Sequence, residues 1–370
     1  MREILAKSQR IVIKVGTSIL TGKDGYISSH AIARLGEDVL ALRAMGKEVA
    51  IVSSGAIAFG MEVYGFKKRP KHLFELQACA AIGQGKLMHA YEEFFRPKKV
   101  IPAQLLLTRD GIEDRSRFLA ARHTFDALFQ MKALPIVNEN DTVATEEIAF
   151  GDNDILSVHV AHLIRADLLV IMSDVDGFYL KDGSRIRLVD SVMKVETELV
   201  KHLKDSKKEK TVGGMKAKLR AAQIAMRLGV SLMIVNGHEQ KILSRAIHGE
   251  DVGTLFMAGK KSANSRKDWI AYTASRAGTL WIDAGASQAL SARKKSLLPS
   301  GIKKIKGNFE KGDVVEIADM DDKILGRGRV RFSSQDLSAI LGKKTSEINS
   351  LVGYDAPQEV IHRNDLLLWI

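Results

Sequence analysis

Five residues near the start of the chain, Ile11-Val12-Ile13-Lys14-Val15, are apolar except for one lysine, and Gly16-Thr17-Ser18 follow at once. A short, almost wholly apolar run suits a strand buried on both faces of a parallel sheet. Lys14 is then costly, because a buried ammonium needs a compensating anion. Ligands of open α/β sheets bind beyond the carboxyl ends of the strands, and a glycine there lets backbone amides approach a bound group. The run therefore predicts an anion held by Lys14 and by the amides of Gly16 to Ser18; an edge-strand lysine reaching to water is the competing reading.

The same alternation continues down the chain. Ile32, Leu35, Val39 and Leu42 repeat at helical spacing after Ser28 and Ser29, and Glu48 to Val52 read as a second strand. Residues 72–95 and 115–132 read as helices, 100–107 and 134–137 as strands. Residues 155–165 are the next expected helix and 168–172 the next strand, and 215–228 with 232–235 repeat the pattern. Helices alternating with buried strands predict an α/β fold, a three-layer α/β/α sandwich on a mostly parallel sheet. After about residue 277 short runs such as Thr279–Asp283 and Val314–Ile317 are punctuated by glycines, which predicts a small C-terminal β-barrel.

Composition excludes several classes of function. Cys79 is the only cysteine, so an internal disulfide and any multi-cysteine metal site are ruled out, and a reducing cytoplasm is expected. The start of the chain lacks the basic-then-apolar pattern of an export signal, and no run approaches the length of a membrane span. The net charge of +12 fits an anionic ligand, either nucleic acid or nucleotide. Residues 278–370 hold 14 Lys and Arg against 12 Asp and Glu, so most of the surplus lies earlier and a strong RNA footprint in the tail is not expected.

Without a G-x-x-x-x-G-K-[ST] or G-x-G-x-x-G, a nucleotide must be held by another device. Gly83-Gln84-Gly85-Lys86 resembles a fragment of the first pattern, but Leu87 replaces the hydroxyl and the stretch reads as helix surface. Ser53-Ser54-Gly55-Ala56 marks a strand-to-helix turn, suited to an anion or to a simple cap. Asn138-Glu139-Asn140-Asp141 and Gly151-Asp152-Asn153-Asp154 flank a stretch, 142–150, that reads as a β-hairpin. Such amides and carboxylates suit an ammonium, Mg²⁺ or a pair of lysines, or only turn and cap chemistry. Ser173-Asp174 closes another strand, and a basic loop, 207–218, carries Gly213, Gly214 and Lys218 into a helix whose N-terminus could face phosphate. His159 and His162 share one helical face and read as packing, as does Cys79.

Taken in order, Ile13 to Ser18, Val52 to Ile57, Leu106 to Arg109, Glu113 to Arg115, Val137 to Asp141, Gly151 to Asp154, Ser173-Asp174, Gly213 to Met215 with Lys218, and Val252 to Phe256 resemble the glutamate 5-kinases of the amino-acid kinase family. Ser296 to Ile302 and Lys306 to Phe309 resemble a PUA domain. The resemblance implies a kinase domain over 1–262, a linker over 263–277 and a PUA domain over 278–370. It implies ATP-dependent phosphorylation of the γ-carboxylate of L-glutamate, the first step of proline synthesis, with Mg²⁺ carried mainly on the ATP phosphates. By that resemblance Lys14 and Lys218 neutralise the transferred phosphoryl group and Asp154 orients them. Ser54, Gly55, Asp141 and Asn153 match glutamate-binding positions. Lys14, Gly16, Thr17, Ser173, Asp174, Val212, Gly213, Gly214, Met215 and Lys218 match the ATP side. The family also implies a cytoplasmic homo-oligomer, dimer or tetramer, feedback inhibition by proline and glutamyl-phosphate reductase as a partner. Val212 and Ala217 stand where the family usually has threonines, and Ala121 and His123 where an Asn and an Asp are common. The apolar residues Leu73, Leu76, Ala80, Leu87, Tyr91, Phe118, Phe125, Leu128 and Phe129 exceed what one sheet face needs, which predicts contacts between subunits.

Overall fold

Alternating strands and helices assemble, in a computed structural model, into two compact units, Met1–Lys261 and Ser262–Ile370. The structure describes residues 3–22, 26–143, 152–180, 182–195, 199, 209–259, 267, 269–270, 273–292, 295–343, 348–353 and 355–369.

In the first unit the strands are β1 (Arg10–Val15), β2 (Glu48–Ser53), β3 (Pro102–Leu107), β4 (Leu134–Glu139), β5 (Leu168–Ser173), β6 (Phe178–Tyr179), β7 (Arg185–Ile186), β8 (Leu188–Val189), β9 (Ser231–Asn236) and β10 (Thr254–Phe256). Eight of them form one sheet in the order β3-β4-β2-β1-β5-β9-β10-β8. From β3 to β9 every pairing is parallel; β10 runs antiparallel to β9. β1 is central, with Lys14 level with Val52 on one side and Ile171 on the other.

Strand residues alternate between faces. Ile11, Ile13 and Val15 join a core shared with α1 (Ser29–Ala44) and with Leu87, Tyr91 and Phe95 of α3 (Leu73–Phe95), while Lys14 turns to the opposite face. Ser28 caps α1 by accepting the Ala31 N–H, which leaves Ile32, Leu35, Val39 and Leu42 buried as their spacing requires. Between them lies α2 (Ala56–Tyr64), pressed onto α3: a Cβ on Gly83 would stand 1.8 Å from the Ala56 carbonyl oxygen, so only glycine allows this approach. The remaining long helices are α4 (Arg115–Gln130), α5 (Asp152–Leu163) and α6 (Glu209–Arg227).

The second unit holds β11 (Gly278–Ile282), β12 (Ile302–Gly307), β13 (Val314–Ala318), β14 (Ile324–Arg329) and β15 (Leu366–Leu368), in the order β12-β11-β13-β14-β15. Its outer strands β12 and β15 are not paired with each other among the described residues. Leu280, Ile282, Phe309, Ile317 and Phe332 form its core.

Three expectations change. The stretch 263–277, read as a linker, falls in the second unit, and of its described residues Trp269, Ile270, Thr273 and Ala274 are buried while Ser275 and Arg276 are exposed. Leu76, Ala80, Leu87, Tyr91, Phe118, Phe125 and Phe129 are buried within the single chain, so they are not surplus surface. The β-hairpin expected over 142–150 begins instead with a 3-10 turn, Asp141–Val143, and its remainder lies outside the described residues. None of the described helices is long and apolar enough to cross a membrane.

Candidate active site

β1, β2, β4 and β5 end side by side, and the first turn of α5 lies across these ends, bringing Asn153 and Asp154 to them. Asp154 is the junction of the charged half. Lys14 Nζ meets its Oδ1 at 2.7 Å and Lys218 Nζ, from α6, meets its Oδ2 at 3.4 Å. The first contact is an ion pair rather than a well-directed hydrogen bond, since Oδ1 has no hydrogen-bond partner. The side chains are 9%, 14% and 2% exposed for Lys14, Lys218 and Asp154. Two screened ammoniums against one carboxylate leave a positive charge in a poorly hydrated place. That is the arrangement a bound anion would neutralise.

Asn153 builds the neutral half. Its Nδ2 donates to Ser54 Oγ at 2.7 Å, with Ser53 O at 3.2 Å and Asn138 Oδ1 at 3.3 Å also in reach. Asn138 Nδ2 donates in turn to Gln84 Oε1 of α3 at 2.9 Å. Below this layer the Ser53 hydroxyl and the Tyr91 hydroxyl are 2.8 Å apart and fully buried. Burial pushes the Tyr91 phenol well above its ordinary range, so it stays a neutral donor. Gly55, at φ +112°, makes the turn into α2 in a backbone region closed to most other residues.

Asp141 sits in the 3-10 turn after β4, buried and with no hydrogen bond among the described residues. Loss of solvent raises its pKa to about 6, and the Arg69 guanidinium pulls the other way. A carboxylate held in this state gains from a cationic partner. Gly16 heads a short helix, Thr17–Leu20, and a Cβ on it would touch Lys14 Nζ at 3.4 Å, filling the space in front of the ammonium. Ser173 ends β5 buried and bonds the exposed Asp174 through Oγ at 3.0 Å.

The structure thus brings Lys14, Asp154 and Lys218 into one cluster and Ser54 and Asn153 into another. The glycines of the basic loop behave differently from expectation. α6 begins at Glu209, so Val212, Gly213, Gly214 and Met215 lie inside the helix and not ahead of it. The side chain of Val212 lies outside the described set. Residues 207 and 208 of that loop are not described. His159 and His162 are buried, and desolvation lowers their pKa values to about 4 and about 3, so they are neutral packing groups. Among the described residues no group of three His, Cys, Asp or Glu side chains could hold a metal.

Residues 9–236 match the amino acid kinase family, and residues 278–352 match the PUA domain. The glutamate 5-kinase of Geobacter sulfurreducens is 43% identical over 368 residues, which is 99% of each chain. This chain belongs to the amino acid kinase family. It is therefore an enzyme, a kinase with a PUA domain. The glutamate 5-kinase of Carboxydothermus hydrogenoformans is 42% identical over 372 residues, the full length of both chains. Carbamate kinase from Giardia lamblia, solved bound to AMP-PNP, aligns with a TM-score of 0.50 at 15% identity, covering 69% of this chain and 100% of that one; this likeness concerns the fold.

Gln84, Asn138 and Tyr91 were not among the site residues expected from sequence, and Ser53 was flagged only as part of a strand-to-helix turn. Asn138 stood in the flagged acidic–amide cluster. Gln84 stood in a glycine-flanked stretch read as helix surface, yet it is half-buried and bonded into the site.

Proposed function

We propose that this kinase transfers the γ-phosphoryl group of ATP to the γ-carboxylate of L-glutamate, forming L-glutamyl 5-phosphate and opening proline synthesis. The observation that carries the reading is the adjacency of Asn153 and Asp154. One residue anchors an amide–hydroxyl layer fit for an amino acid, and the next anchors the two lysines fit for a phosphoryl group. Full-length relatives named glutamate 5-kinase support the substrate.

In this reading the substrate's ammonium lies toward Asp141 and its γ-carboxylate points toward the lysines. A carboxylate is already ionised at neutral pH, so attack needs no general base. The carboxylate oxygen forms a bond to the γ-phosphorus as the bond from that phosphorus to the bridging oxygen breaks, and ADP leaves with the bonding pair. Lys14 and Lys218 stand where negative charge accumulates on the transferred group, and Asp154 holds both ammoniums in register beforehand. Mg²⁺ would add charge neutralisation on the ATP phosphates with few direct protein ligands. Ser173, Asp174 and the start of α6 belong to the ATP side of this proposal.

A homo-oligomer is part of the proposal, now carried by exposed aromatic residues: Tyr64 and Phe66 stack at 5.7 Å, and Phe74 is 72% exposed. Inhibition by proline and coupling to glutamyl-phosphate reductase belong to the same reading. The test is ADP release with L-glutamate, N-acetyl-L-glutamate and L-aspartate. L-Glutamate is expected to be turned over most efficiently; equal or better turnover of the acetylated compound overturns the assignment.

A further inference from the structure

The Ser262–Ile370 unit holds a cleft of about 480 Å³, within the range of roughly 300–1,000 Å³ usual for small-molecule sites. Leu290, Leu366 and Leu368 give it apolar walls, and Lys267, Lys295 and Arg363 supply three cations. Among the described residues no aspartate or glutamate lines it. Lys295 and Arg363 come from a stretch, 278–370, that is nearly balanced at 14 Lys and Arg against 12 Asp and Glu. Their meeting beside apolar walls is therefore a local concentration of charge and not the character of the whole unit.

The backbone brings these two cations together. Leu297 N–H donates to Ile361 O at 2.8 Å, and Val360 N–H donates to Leu297 O at 2.8 Å. These bonds join the loop that carries Lys295 to the segment that carries Arg363. Lys295 N–H is anchored on Ala289 O at 3.3 Å, and Arg363 N–H on Ser296 Oγ at 3.1 Å. All four bonds start from main-chain N–H groups, so they fix where both side chains begin without occupying their charged ends.

We infer that this cleft binds a small organic phosphate, with the phosphate between Lys295 and Arg363 and an apolar ring against Leu290, Leu366 and Leu368. A guanidinium fork beside an ammonium matches a phosphomonoester dianion, and inorganic phosphate alone would leave the leucines uncovered. A nearly balanced unit lacks the broad surplus that a nucleic-acid backbone requires, which favours a small ligand. The site is independent of the proposed reaction, whose residues Lys14, Asp154 and Lys218 all belong to the first unit.

The experiment labels the full-length protein with pyridoxal 5′-phosphate, reduces the lysine adducts with borohydride and maps them by peptide mass spectrometry. Pyridoxal, which lacks the phosphate, gives the reference for plain lysine accessibility. The ratio of phosphate-bearing to plain label at Lys295 is expected to be about 10-fold that at exposed Lys306, Lys311 and Lys323, the factor for one charge-assisted hydrogen bond. Arg363→Gln should remove that excess with an unchanged melting temperature, because Arg363 is exposed and its anchor is made by the backbone. Competition in the wild type needs no variant: AMP is expected to suppress the excess at Lys295, and adenosine to leave it. A ratio at Lys295 no higher than at the three reference lysines overturns the inference. So does an excess that persists in Arg363→Gln. Protection by an oligoribonucleotide but not by AMP overturns it in favour of a nucleic-acid surface.

Discussion

The two halves of the site are built from opposite materials and joined by one peptide bond. Around Asp154 the groups are charged, drawn from three distant parts of the chain, and their sum is unbalanced. Around Asn153 the groups are neutral amides and hydroxyls, and their hydrogen bonds are satisfied inward. An unbalanced charged cluster is poised for a group whose charge develops in reaction, whereas a satisfied neutral network holds shape and reads out a ground-state ligand. Damage to the first half should appear in kcat, and damage to the second in KM.

The largest effect is expected at Lys14. Lys14→Ala should lower kcat by about 10²–10³-fold with a smaller change in either KM, as for loss of one donor to developing charge. Steady-state kinetics with each substrate varied would show it, and an intact kcat would remove Lys14 from the charged half. Asp154→Asn comes next. It leaves Lys14 and Lys218 facing each other without their common counter-charge. A kcat loss of about 10²-fold is expected, by analogy with a broken preorganised site. A pure KM effect there would dissolve the distinction between the halves.

Asp141→Asn should raise the glutamate KM by about 10-fold, taking loss of one charge-assisted contact as the guide. Its pH dependence follows from the raised pKa of about 6. In the wild type, protonation as pH falls through about 6 removes the counter-charge, so the glutamate KM rises below that point; in Asp141→Asn the rise is absent. Stability moves the other way. The folded protein takes up this proton more readily than the unfolded chain, whose ordinary carboxyl value is 3.8. Ionised Asp141 therefore disfavours folding above about pH 6, and the penalty fades as pH falls from about 6 toward 4. The variant should accordingly melt higher than wild type at pH 7 while binding glutamate more weakly. A lower melting temperature would show that Asp141 is a structural turn residue.

The smallest effect is expected from Tyr91→Phe. It removes a hydroxyl 2.8 Å from Ser53 Oγ while keeping the ring, so stability should fall by about 1 kcal/mol. Chemical denaturation reads this directly. Little change in kcat would agree with a supporting position beneath the substrate layer, and a large one would extend the chemistry down to Tyr91.

Sequence alone determined the alternation of buried strands and amphipathic helices, because burial on one or two faces leaves a period that neighbouring residues reveal. It also determined the oddity of Lys14, since a lysine in an apolar strand conflicts with its surroundings whatever the fold. The motif series carried Asp154, Lys218, Ser54 and Asn153. Tertiary structure decided what those groups touch. Lys14 and Asp154 are far apart in the chain and meet only because strand alternation turns Lys14 toward the face that α5 crosses. Gln84 offered no local sign, because an amide on a helix looks like surface until packing brings it within reach of Asn138. Leu76, Ala80, Leu87 and Tyr91 of α3 and Phe118, Phe125 and Phe129 of α4 looked like excess because a sequence does not state how much surface its own core will consume; folding buried them within one chain. Local chemistry is written in residue types, but pairing across more than a turn or two depends on how the layers pack.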